Sequence, residues 1–128
     1  HARLADQADE SGTRRDHYRE EQRAYCQAVH HDPDYYKAWY NLAMAYNKTE
    51  DIDGEIDAYR EALKVRPDYP QALFNLARAL EDKGNAHDAI RIWRRYLEIA
   101  KGLPTEQDFI AEAQDELIRL MENLKPSE

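Results

Sequence analysis

Twenty-six acidic side chains, five histidines and a single cysteine are the groups in this sequence that could do chemistry. Carboxylate pairs such as Glu20–Glu21 and Asp51–Asp53 have the spacing to be considered for acid–base work. That work needs two carboxyls held in different environments, whereas pairs on helix faces and turns are ordinarily solvated charge. His30 and His31 are adjacent, with Asp32 next. Neighbouring residues on a helix do not share a face, so the two imidazoles make a poor metal chelate, and His17 lies too far along to complete one. A helix C-terminus, where an imidazolium interacts well with the dipole, is the simpler setting for both. His87 reads as a turn residue. Cys26 would need a partner to become a nucleophilic thiolate. No His or Asn is indicated for that role, and Tyr25 and Val29 place Cys26 on an apolar helix face. The sequence has no Gly-rich phosphate loop and no Gly-x-Ser-x-Gly elbow. The expectation is a protein that is not an enzyme, with no catalytic residues, no metal and no cofactor.

The elements that position these groups can be read from the rest of the sequence. A chain of 128 residues is one ordinary domain by length, enough to bury roughly two-thirds of its unfolded surface. The formal net charge is -8 and the pI about 5.1. Such a chain gains no counterion-release energy from nucleic acid and is repelled by anionic lipid, so neither nucleic acid nor membrane is an expected partner. No apolar run approaches the roughly 20 residues of a membrane span. A lone cysteine cannot close an intramolecular disulfide, which leans toward a reducing, cytoplasmic setting. The chain begins at His1 rather than Met, without a signal-like segment, and reads as an excised or processed piece of something longer.

Gly12, Gly54, Gly84 and Gly102, with Pro33, Pro67, Pro70 and Pro104, separate long stretches of helix formers. Within those stretches apolar residues recur three and four apart. Ala38, Trp39, Leu42, Ala43 and Tyr46 form one such face, and Ile52, Ile56, Tyr59 and Leu63 a second. Ala86, Ala89, Ile90, Trp93, Leu97 and Ile99 form a third. Each helix is too short to be stable alone. Laying residues 33–66 over 67–100, a shift of 34, brings identical residues together at about a third of the positions. Pro33, Asp34 and Tyr35 meet Pro67, Asp68 and Tyr69; Asn41, Leu42 and Ala43 meet Asn75, Leu76 and Ala77; Ile56, Arg60 and Leu63 meet Ile90, Arg94 and Leu97.

The pattern resembles the tetratricopeptide repeat, whose period is 34 residues and whose signature runs aromatic-x2-Leu-small-x2-Tyr, small-x3-aromatic, Pro. Here it reads Trp39, Leu42, Ala43, Tyr46, Glu55, Tyr59, Pro67, and then Leu73, Leu76, Ala77, Leu80, Ala89, Trp93, Lys101. Glu55 and Tyr96 stand where small residues are preferred, and both are expected to widen the helix packing locally. A partial third copy, in which Tyr25 and Ala28 match Tyr59 and Ala62, precedes these two. Its first helix would be the short polar stretch 3–10, ended by a turn at Ser11, Gly12 and Thr13, with Thr13 as N-cap. Residues 105–124 read as one capping helix started by Thr105 and stopped by Pro126. Its stripe is Phe109, Ile110, Ala113, Leu117, Leu120, Met121 and Leu124, and its outer face is expected to be polar. The resemblance therefore implies an all-α fold, a right-handed superhelical stack of antiparallel helix hairpins. Residues 1–128 form a single domain: a partial repeat 1–35, repeats 36–69 and 70–103, and a capping helix 104–125.

In this family the first helix of each hairpin lines a concave surface that receives partner peptides. Carried over by position, the groove residues are Lys37, Tyr40, Asn41, Met44, Asn47 and Lys48, then Gln71, Phe74, Asn75, Arg78, Glu81 and Asp82. Tyr40 and Phe74 can take an apolar side chain, Asn41 and Asn75 can bond an extended backbone, and Lys37, Lys48 and Arg78 can receive a carboxylate. The family's carboxylate clamp for chaperone tails is incomplete. Tyr40 and Met44 replace its first-repeat residues, Thr105 and Phe109 its third-repeat residues, and only Asn75 fits. The function implied is a protein–protein interaction module that binds a peptide or helix in the groove. The alternative is a structural or self-associating segment of a larger multi-repeat protein, motivated by apolar residues Tyr18, Tyr25 and Val29 that a clipped first helix would leave uncovered.

Overall fold

The computed structural model describes residues 2–124, with side chains from Thr13 onward. The described residues form helices α1 (Ala2–His31), α2 (Tyr36–Lys48), α3 (Ile52–Val65), α4 (Pro70–Lys83) and α5 (Ala86–Ala100), a 3-10 turn (Pro104–Glu106) and α6 (Gln107–Asn123). Each helix packs on the next, α1 on α2 through to α5 on α6. The result is an all-helical stack of antiparallel hairpins.

The two central hairpins are closed by the same device one period apart. At the end of α2, Glu50 N–H donates to Asn47 O and Asp51 N–H to Tyr46 O. At the end of α4, Gly84 N–H donates to Glu81 O and Asn85 N–H to Leu80 O. The residue in the left-handed region is Gly84 (φ 91°) in the second turn and Glu50 (φ 61°) in the first. Glycine takes that conformation at no steric cost, and glutamate does not. Asp51 then caps α3 by accepting from Gly54 N–H at 3.0 Å. Gly54 also lets the hairpin close tightly, because a Cβ there would lie 2.8 Å from Tyr46 Cδ1.

The core runs along the whole stack. Ala43, Ala62, Ala72, Ala77 and Ala89 are fully buried at helix crossings, where small side chains permit close approach. Trp93, Tyr96, Leu73, Leu76 and Leu80 fill the space between. Tyr96, at a position the repeat pattern reserves for a small residue, is fully enclosed and donates its hydroxyl to Glu106 Oε1 at 2.8 Å. Trp39, expected in the core, is only half-buried and donates Nε1–H to Pro33 O at 2.7 Å. No buried side-chain N or O among the described residues lacks a hydrogen-bond partner.

Other sequence expectations are corrected at the two ends. The turn at Ser11–Thr13 and the Thr13 cap do not form, and α1 continues from Ala2 to His31. A glycine inside a helix costs only about 1 kcal/mol, and the 3–10 stretch has too few apolar residues to reward a hairpin. Val29 is buried and Tyr18 and Tyr25 are half-buried, so α2 covers the surface that seemed open there. Ala28 is exposed, because no helix packs on that side of α1. At the other end Thr105 does not cap α6. It sits in the 3-10 turn and donates its hydroxyl to Glu106 Oε2 at 3.1 Å. Of the expected α6 stripe, Ala113 and Leu120 are buried, but Phe109, Met121 and Leu124 are exposed, and Ile118 outside the stripe is 54% exposed. The stop assigned to Pro126 lies outside the described residues.

Candidate functional site

The first helices of successive hairpins, α2, α4 and α6, contribute side chains to one face that carries two adjoining clefts. The first is polar, about 310 Å³, and lies between α2 and α4. Met44, Asn47 and Lys48 form one wall, Arg78, Ala79 and Asp82 the other, with Glu55, Tyr59 and Asn75 also lining it. The second is more apolar, about 420 Å³, and lies between α4 and the start of α6. Tyr40, Gln71 and Phe74 face Thr105, Glu106 and Phe109 across it. Asn75 and Arg78 line both clefts, so the two form one continuous groove.

Aromatic packing builds the apolar cleft. Phe74 is held edge-on by Trp93 at 4.9 Å and Tyr96 at 5.3 Å between ring centroids, and Phe109 approaches it at 5.8 Å. Such edge-to-face pairs fix ring orientation beyond simple burial. Phe74 is buried, whereas Phe109 is 47% exposed and forms the open rim. Glu106 lies at the base with both oxygens occupied by the Tyr96 and Thr105 hydroxyls. Arg78 lies 5.9 Å over the Phe74 ring, and no ion pair joins it to any described carboxylate.

In the polar cleft, Asn75 Nδ2 donates to Tyr40 Oη at 3.0 Å, and Asn47 Nδ2 donates to Glu55 Oε1 at 3.3 Å. Burial holds the Glu55 carboxyl above its ordinary value, the Asn47 bond opposing it. Burial likewise raises the Tyr40 and Tyr59 hydroxyls, so both are neutral hydrogen-bonding groups.

Of the twelve positions carried over from the family, nine line this groove: Tyr40, Met44, Asn47, Lys48, Gln71, Phe74, Asn75, Arg78 and Asp82. Three do not. Lys37 is exposed at the start of α2, and Asn41 is half-buried beside the clefts. Glu81 turns the other way, accepting from Trp93 Nε1–H at 2.8 Å and pairing with Arg119, and so ties α4 to α5 and α6. Lys48 is half-committed, because its ammonium lies 3.0 Å from Glu21 Oε1 and 5.5 Å from the Tyr18 ring. Sequence reasoning left Glu55, Tyr59, Ala79, Thr105, Glu106 and Phe109 out of the site. Thr105 and Phe109 stand one period beyond Gln71 and Asn75; the same register placed them at the clamp's third-repeat positions, where they were set aside because they do not match the clamp. Among the described residues no cluster of three or more His, Cys, Asp or Glu is placed to hold a metal, and no helix is long and apolar enough to cross a membrane.

Comparison with known proteins bears on the same architecture. Against curated protein sequences no match is found. Among solved structures the chain is similar to the Yersinia enterocolitica type III secretion chaperone SycD in complex with a peptide of the translocator YopD. The two share 16% identity and a TM-score of 0.79, covering 95% of this chain and 90% of that one. PcrH in complex with the chaperone-binding region of PopD matches with 13% identity and a TM-score of 0.78, covering 97% and 90%. The first tetratricopeptide domain of Spaghetti (RPAP3), bound to an HSP90 peptide, matches with 19% identity and a TM-score of 0.70, covering 92% and 88%. The tetratricopeptide-repeat family model matches residues 14–70 and 56–104. With most of the chain inside that match and its hairpins stacked at the same period, the protein belongs to the tetratricopeptide-repeat family.

Proposed function

We propose that this chain is a protein-interaction module, not an enzyme, and that it binds a peptide or helix of a partner protein along the α2–α4–α6 groove. The observation that carries this is the apolar cleft beside the Phe74–Phe109 edge-to-face pair. It offers a preformed aromatic pocket for one side chain, with polar groups of Tyr40, Gln71, Asn75 and Arg78 around it. A few convergent polar groups around an apolar concavity are what a ligand pocket requires. The repeats 36–69 and 70–103, with the start of the capping segment 104–125, supply the groove walls, and the partial repeat 1–35 precedes them. Three fold neighbours, SycD, PcrH and RPAP3, were solved with peptide segments of other proteins, which supports a peptide as the ligand class. With a net charge of -8, nucleic acid and anionic membranes are poor alternatives.

The test is selection from a phage-displayed random dodecapeptide library, followed by affinity measurement on Phe109→Ala. Phe109 is the better probe than Phe74, because truncating a buried phenylalanine costs roughly 3–5 kcal/mol of stability and confounds binding. Enriched peptides should bind Phe109→Ala roughly tenfold or more weakly, as for a hot-spot aromatic, with little change in melting. Unaltered affinity would remove the apolar cleft from the site.

A second reading, self-association, is favoured by the exposed Ile118, Met121 and Leu124 on α6. Sedimentation of Ile118→Glu against the parent chain tests it. A parent that stays monomeric at high concentration excludes it.

A further inference from the structure

Arg78 is the one guanidinium that lines both clefts. Its guanidinium lies 5.9 Å over the Phe74 ring and makes no ion pair with a described carboxylate. Asp82, one helical turn on, has the spacing for an i,i+4 pair, yet the two make none, and Glu106 at the base of the apolar cleft has both oxygens engaged. Lys48, the other cation on the groove wall, is held by Glu21. The Arg119 hydrogen bond, and in lesser part the Arg78 charge, hold the Glu116 carboxyl below its ordinary value. No ion pair or hydrogen bond engages the Arg78 N–H groups among the described residues, so the groove presents one planar donor with open valences at the edge of its apolar pocket. A guanidinium on an aromatic face keeps its outward N–H groups free, and their fork matches a carboxylate.

Building on the groove proposed above, we infer that the partner segment carries an acidic residue immediately beside its apolar anchor. The anchor enters the cleft beside the Phe74–Phe109 pair and packs on the exposed Phe109 ring, and the neighbouring carboxylate is received by Arg78. The ligand chemistry is therefore an internal apolar–acidic pair in an extended or helical segment. The chain's net charge of -8 opposes an acidic ligand at long range. That field is screened over a Debye length of about 8 Å at physiological salt, while the Arg78 contact acts within hydrogen-bonding distance. The groove should accordingly select a single acidic residue in register with the anchor and reject acidic runs.

The test uses the full chain and the same phage-displayed dodecapeptide library, with Arg78→Glu and Arg78→Gln selected in parallel. The parent chain should enrich Asp or Glu next to a large apolar residue. Arg78→Glu should enrich Lys or Arg at that place, and Arg78→Gln should enrich neither. In a synthetic copy of an enriched peptide, blocked at both ends, changing the acidic residue to its amide should weaken binding to the parent about two- to fivefold. This is the range of an exposed ion pair. The same change should leave binding to Arg78→Gln unaltered. Apolar enrichment with no charge preference, or the same preference in Arg78→Glu, overturns the pairing and leaves the groove in place. Enrichment of no peptide at all overturns the groove and the pairing together.

Discussion

Glu55 shows how a single residue can break a repeat rule and still be satisfied. It stands where a small side chain is expected, is only 7% exposed, and sits in the polar cleft with Asn47 as its donor. Its carboxyl is held above the ordinary 4.5, chiefly by burial. A group with a raised folded pKa binds more protons folded than unfolded there. Stability therefore falls as pH rises from about 4.5 through the folded value. Glu55→Gln removes that loss and keeps the acceptor for Asn47. Its urea midpoint should exceed the parent's at pH 7, and the gap should close below pH 4.5. Midpoint curves that run parallel across pH would contradict this. The sequence flagged Glu55 as a departure from the pattern, but its place in the groove was not legible. Family position assigns second helices such as α3 to the back of the stack, and a long side chain can reach past that assignment. Tyr59 was missed for the same reason. Glu81 failed in the opposite direction, because the indole of Trp93 and the guanidinium of Arg119 offer it stronger partners than the groove does.

At the scale of elements, the 34-residue register fixes more than helix positions. It places Glu50 and Gly84 at equivalent points of equivalent turns, both with positive φ and both closed by the same pair of backbone bonds. A non-glycine residue in the left-handed region costs roughly 1–2 kcal/mol, partly offset by the greater entropy that glycine loses on folding. Glu50→Gly should therefore stabilise the chain by about 0.5–1 kcal/mol in urea unfolding. A variant less stable than the parent would show that the Glu50 side chain, and not the backbone, holds that turn. Helices α2 to α5 were legible because apolar spacing and the Gly and Pro punctuation agree on them. The two ends were not. A turn at Gly12 forms only if a packed hairpin rewards it, and the polar 3–10 stretch supplies no such reward. The start of α6 is set by Glu106, whose two hydroxyl bonds pin a 3-10 turn that no local pattern announces.

Over the whole molecule, stability and binding divide between two faces of the same helices. The buried alanines and the Trp93–Tyr96–Leu73 core hold the hairpins at a fixed pitch. That pitch sets Phe74 and Phe109 apart by 5.8 Å and leaves a cleft open beside them. Because the walls belong to packed helices and to a 3-10 turn pinned by the Glu106 hydrogen bonds, the groove is preformed, which reduces the ordering cost of binding. The central claim is that ligand occupies this groove and not the back of the stack. Titration of an enriched dodecapeptide into the 15N-labelled chain tests it most directly. Amide shifts should concentrate at Tyr40, Met44, Gln71, Asn75, Arg78, Thr105 and Phe109. Those of Arg60, Arg91 and Arg95, on the exposed faces of α3 and α5, should stay still. Shifts confined to α3 and α5 with the groove amides unmoved would contradict it.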